Sequence, residues 1–122
     1  MIAYTTVGTN DIAKAGAFYD TLFSIMGAKR ILNFERMVSW GNNPQAPMFA
    51  IATPYDGKPA TAGNGTMIAV AVANPEQVNA LYTKAIELGA TDEGEPGVRM
   101  EAYYCAYFRD LDGNKVNCFC MA

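Results

Sequence analysis

The sequence predicts an α+β fold built from two tandem βαβββ units, and three observations carry that expectation. The order strand, helix, then several short strand-like pieces occurs twice in 122 residues. The two helix ends read alike, Met26-Gly27-Ala28 and Leu88-Gly89-Ala90. Between the halves, residues 54–65 carry the Gly and Pro turn chemistry of a link. The repeats are expected at about residues 1–54 and 65–122, within one domain spanning residues 1–122 that is long enough to bury a core.

Residues 2–7, rich in Thr, Val and Tyr, read as the first strand. Asn10 or Asp11 can cap the helix that follows. Ile12, Ala15, Phe18, Tyr19, Leu22 and Met26 recur at three- and four-residue spacing along it, and Gly27 sits where a left-handed C-terminal cap belongs. Three short strands are then expected at residues 29–34, 37–41 and 48–53, bounded by the turn-forming runs GNNPQAP and PYDGKP. In the second half residues 66–73, TMIAVAVA, form a strand, and Asn74-Pro75-Glu76-Gln77 starts a helix with Pro at its first position. Val78, Leu81, Tyr82, Ala85 and Leu88 make its apolar stripe, and Gly89 ends it. Further strands follow, the clearest at residues 103–109 and 115–120 around the acidic turn 110–114.

Side chains alternate across a strand, so the faces can be separated. Ile68, Val70 and Val72 form a bulky face expected under helices, while Met67, Ala69 and Ala71 leave room on the other. The last strand divides into an apolar set, Val116, Cys118 and Cys120, and a mixed set, Lys115, Asn117 and Phe119. A mixed face suits a ligand groove with apolar walls and a few polar anchors. The alternative for an alanine-lined face is packing against another sheet or subunit.

Composition narrows the function. Nine Lys and Arg are scattered among twelve acids, for a net charge of −3, so no basic stripe is available for nucleic acid. The start MIAYTTVGTND lacks a signal-like pattern, and no long apolar run indicates a membrane span, so a cytoplasmic protein is expected. Cys105, Cys118 and Cys120 are read as reduced thiols, the last two as small hydrophobes on one strand face. Histidine is absent, which removes the commonest general base and the commonest ligand for zinc, nickel and iron.

With its double βαβββ order, a GNG turn before the second-half strand, and a final D-x-D-G-N-K turn and strand, the chain resembles the vicinal oxygen chelate superfamily. This is the glyoxalase, bleomycin-resistance and extradiol-dioxygenase group. The resemblance runs from Ile2 to Cys120 and implies sheets curled into an open cup with helices on the outer face. It also implies four inward metal-ligand positions in the metal-dependent members. Three fall on Tyr4, Met67 and Asn117, and the fourth lies on the strand at residues 48–53, which contains no acid. A phenol, a thioether and a neutral amide make a poor set for a hard divalent ion, so neither metal nor cofactor is expected. The turn at Asp110 and Asp112 is read as structural, since two acids without regular spacing do not make a calcium loop.

Tyr4, Met67, Asn117, Phe119, Trp40 and Arg109 are therefore the candidate ligand-binding residues, with no catalytic residue assigned. Trp40 is a candidate for stacking on a planar ligand, and Arg99 or Arg109 for clamping a carboxylate or phosphate. The leading expectation is a metal-free protein that binds a small, partly apolar molecule, as the similar bleomycin-resistance proteins do. A homodimer is implied by the family precedent. The rival is a glyoxalase- or dioxygenase-type enzyme, a lyase or oxidoreductase with a non-standard site. A regulatory or interaction module is a third possibility.

Overall fold

A computed structural model describes all residues, 1–122. Its contacts divide the chain into two units, Met1–Ala62 and Gly63–Ala122.

In the first unit, β1 (Tyr4–Gly8) leads to α1 (Ile12–Ser24), then β2 (Lys29–Asn33), β3 (Met37–Gly41) and β4 (Met48–Ala52). Asp11 caps α1 by accepting from the Lys14 amide at 3.0 Å. The helix unwinds through a turn in which Gly27 takes φ +74° and the Ala28 amide bonds back to the Phe23 carbonyl at 3.0 Å. That left-handed residue is the one a Cβ would penalise. The strands make one sheet in the order β1-β4-β3-β2, with β1 and β4 parallel.

The core of this unit is an aromatic cluster. Ala15, Phe18, Tyr19, Leu22 and Phe23 of α1 are buried, and Tyr19 lies 5.6 Å from Trp40 and 4.8 Å from Phe49 between ring centroids. Arg30 crosses beside it. Its guanidinium pairs bidentately with Asp20 at 2.8 and 2.9 Å and lies 5.6 Å from the Trp40 ring centroid. Gly16 makes this approach possible, because a Cβ there would stand 2.8 Å from Arg30 Nη2. The Arg30 hydrogen bonds, with a further one from Trp40, hold the Asp20 carboxyl below the ordinary aspartate range.

The second unit repeats the plan. β5 (Ile68–Ala71), α2 (Pro75–Glu87), β6 (Thr91–Arg99), β7 (Tyr103–Arg109) and β8 (Lys115–Met121) give a sheet ordered β5-β8-β7-β6, again with one parallel pair. Asn74 caps α2 through the Gln77 amide at 2.9 Å, and Gly89 closes it at φ +106°. The strand expected at residues 66–73 is shorter than the sequence suggested. Gly65 at φ +94° and a Thr66 amide bonded to the Gly63 carbonyl keep residues 63–66 in a turn, so Met67 lies just before the strand.

Val78, Leu81 and Ala85 of α2 are buried, as are Val116 and Cys118 of β8, and the Cys118 thiol lies 3.9 Å from the Val78 carbonyl. Burial pushes the Cys118 thiol up to about 12, which keeps it protonated and unreactive, in line with its reading as a small hydrophobe. Ile68 and Val70 are half-buried, whereas Ala69, Ala71 and Met67 are exposed. The division of faces makes a simple prediction. Ile68→Ala should cost about 2 kcal/mol of stability, and Met67→Ala less than about 1 kcal/mol, in chemical unfolding. A larger loss at Met67 would mean that the two faces are reversed.

Candidate functional site

The face of the second sheet turned away from α2 brings several polar and aromatic side chains together. Register puts Tyr107 opposite Asn117 and Cys105 opposite Phe119, with Ala69 and Ala71 beside Asn117 and Phe119 on the other flank. Tyr104, on the opposite face, donates to Asn79 of α2 at 2.8 Å, which fixes the phase of the alternation. The open face therefore carries Tyr103, Cys105, Tyr107 and Arg109 from β7, and Lys115, Asn117 and Phe119 from β8. Tyr103 and Phe119 meet edge to face at 6.2 Å.

Asn117 is the anomaly. It is only 8% exposed, and its Oδ1 is a buried acceptor with no hydrogen-bond partner. Such an atom costs about 1–3 kcal/mol relative to a satisfied one, so its presence asks for a donor.

Two cations share one aromatic ring next to it. The Arg99 guanidinium lies 5.9 Å and the Lys115 ammonium 5.5 Å from the Tyr107 centroid. Arg99 donates to the Glu95 carbonyl at 2.8 Å, and neither cation takes part in a salt bridge. Burial, and then the neighbouring Cys105, push the Tyr107 phenol up, so it stays neutral beside them. Two glycines of β6 make the bed. A Cβ on Gly94 would stand 2.9 Å from Tyr107 Cδ2, and one on Gly97 would stand 2.8 Å from Arg99 Nη1.

Two of the candidates read from the sequence need correction. Trp40 is not on an open face. It shares its phase with Val38, pairs in register with Phe49, is 2% exposed, and its indole donates to Asp20 at 2.9 Å. Its size is used in the core, because α1 presents Tyr19 and Phe23 to it. Arg109 stands on the open face but is occupied. It pairs with Glu93, also donates to the Gly113 carbonyl at 3.2 Å, and its guanidinium holds the Glu93 carboxyl below the usual range. Arg99, unlike Arg109, makes no salt bridge.

Tyr4 is half exposed on β1. Its partner Met48 and the neighbouring pair Thr5–Phe49 place it on the face of the first sheet away from α1. Phe119 and Asn117 lie where the alternation put them. Sequence reasoning missed Lys115 as a partner of Arg99, and the pairing of both with Tyr107 is visible only once the strands are in register.

The first unit also has an open recess of about 480 Å³ lined by Thr9, Arg36, Tyr55 and Lys58 among others. Two of its polar side chains are engaged: Arg36 donates to the Thr53 carbonyl at 2.9 Å, and the Asn10 amide bonds both ways to the Ala60 backbone. Nowhere do three His, Cys, Asp or Glu residues come together to hold a metal ion. Tyr4, Met67 and Asn117, where the family resemblance puts metal ligands, do not fit a hard divalent cation. No helix is long and apolar enough to cross a membrane.

The two α+β units with mixed four-stranded sheets define the glyoxalase-type fold. The model of the Glyoxalase/Bleomycin resistance protein/Dioxygenase superfamily matches residues 1–118, and the chain belongs to that superfamily. It is similar to a glyoxalase/bleomycin resistance protein from Albidiferax ferrireducens T118, at 36% identity over 98% of this chain and 97% of that one, with a TM-score of 0.89. A hypothetical protein from S. aureus shares 25% identity over 98% and 91% of the two chains, with a TM-score of 0.73. A family enzyme from Burkholderia phytofirmans PsJN, at 20% identity, 96% and 95% coverage and a TM-score of 0.75, shares the fold. Among proteins of curated function, none matches the chain.

Proposed function

We propose that this protein binds a small, partly apolar molecule on the open face of its second sheet, and that it does so without a divalent metal. The observation that carries the reading is the buried, unpaired Oδ1 of Asn117, at a position where the family resemblance implies a metal-binding glutamate. A neutral amide there exchanges a metal ligand for a hydrogen-bond acceptor. Phe119 and Tyr103 supply apolar surface beside it, and Ala69 and Ala71 leave space.

The test is Asn117→Leu. Filling the site with an apolar side chain of similar size removes the unsatisfied acceptor, so the variant should gain about 1–2 kcal/mol in chemical unfolding. It should also lose the chemical-shift changes that bound small-molecule fragments cause at Phe119 and Tyr103 in chelator-treated protein. The reading is overturned by one equivalent of tightly held zinc, nickel, manganese or iron whose removal abolishes binding, or by fragment binding that survives the substitution.

A further inference from the structure

Resting on that reading, we propose that the ligand is an anion: a small carboxylate with a hydroxyl or amine donor beside it and an apolar body. Its carboxylate would lie with Arg99 and Lys115 at Tyr107, its donor would meet Asn117 Oδ1, and its apolar part would cover Phe119.

Charge placement is the first support. The unit Gly63–Ala122 contains eight acids and only Lys84, Arg99, Arg109 and Lys115 as cations, yet three of those four stand on one sheet face. Glu93 pairs with Arg109 and its charge also reaches Lys115, so of the two cations at the Tyr107 ring Arg99 is the one with no acid beside it. A carboxylate at this ring meets a guanidinium that has no salt-bridge partner, with the Lys115 ammonium beside the same ring. On the other side of the sheet Asp92 accepts from the α2 residue Tyr82 at 2.8 Å, so this acid is turned away from the cluster.

Preorganisation is the second. Arg99 is tied to the Glu95 carbonyl and rests in the space left by Gly97, so less of its freedom is lost when it binds. The third is chemical complementarity. The Asn117 acceptor has no use for a carboxylate, so the same ligand must also bring a donor.

Salicylate combines an aromatic body, a carboxylate and an adjacent hydroxyl, and 2-hydroxybenzyl alcohol is its neutral counterpart. Both are titrated into the full chain by two-dimensional NMR, following the Asn117 side-chain amide and the Gly97 and Cys105 backbone amides. Salicylate should shift these signals, and the alcohol should bind about tenfold or more weakly. Arg99→Gln should weaken salicylate by about tenfold, the usual scale for losing one charge-assisted contact. Gly97→Ala, which displaces the guanidinium while the fold persists, should weaken it as well. If the alcohol binds the same face as tightly, or if Arg99→Gln leaves salicylate affinity unchanged, the anion assignment is wrong while the open-face reading stands. If neither compound moves these signals at millimolar concentration, both are wrong.

Discussion

Trp40→Ala is expected to lower stability by about 3–5 kcal/mol, the range for truncating a large buried aromatic. The indole is 2% exposed and contacts Tyr19 and Phe23, with ring centroids at 5.6 and 6.0 Å, so its removal opens a cavity between α1 and the sheet. The loss extends beyond packing. Asp20 Oδ1 gives up the indole donor at 2.9 Å, and Arg30 loses the ring beneath it while its ion pair with Asp20 stays behind. Trp40→Phe keeps most of the apolar volume and should cost about 1–2 kcal/mol. Since Trp40 is the sole tryptophan, circular dichroism rather than fluorescence must follow the unfolding. A loss below about 1 kcal/mol for the alanine variant would place the indole on an open face after all. Salicylate titration of Trp40→Phe supplies the functional half: the shifts at Asn117 should persist.

That residue shows where the sequence could be read and where it could not. The helices were legible because each carries its own boundary chemistry: Asp11 and Asn74 as caps, Gly27 and Gly89 as left-handed ends. These are local requirements, and local requirements are written in consecutive residues. The alternation that put Asn117 and Phe119 on one face of β8 was legible for the same reason. Applied to β3, it also groups Val38 with Trp40, yet which face meets a helix depends on Phe49 and α1, which lie elsewhere in the chain.

β6 was the least legible strand. Gly94, Pro96 and Gly97 suppress the strand signal, and the register shifts on either side of Gly94 break the alternation. The β6–β7 connection adds to this, because Met100 at φ +50° and Glu101 at φ +62° take left-handed conformations without the Gly or Asn that would announce them. The fate of a charge was equally hidden. Arg99 and Arg109 look alike in sequence, and only the partner strands assign Glu93 to one and an aromatic ring to the other.

Asp110→Ala is the second large effect, with an expected loss of about 2–3 kcal/mol. The residue is 6% exposed, and its carboxylate does the work of a small scaffold. Oδ1 accepts from the Asp112 and Asn114 amides, each at 2.9 Å, and Oδ2 accepts from Asn114 Nδ2 at 3.1 Å. Removing it leaves those donors short of an acceptor within a turn that Gly113 closes at φ +87°. Asp110→Asn keeps an acceptor for the two backbone amides but turns a donor toward Asn114 Nδ2, so about half of the loss should remain. The turn sets how β8 returns along β7, hence that Tyr107 stands opposite Asn117, and a slip of one residue would carry Asn117 and Phe119 to the helix side. Since the carboxylate oxygens already accept these hydrogen bonds, the turn should work without a cation. Urea midpoints of the wild-type chain should therefore coincide in calcium and in a calcium chelator. A midpoint raised by calcium, and no longer raised in Asp110→Ala, would make the turn an ion site instead of a register lock.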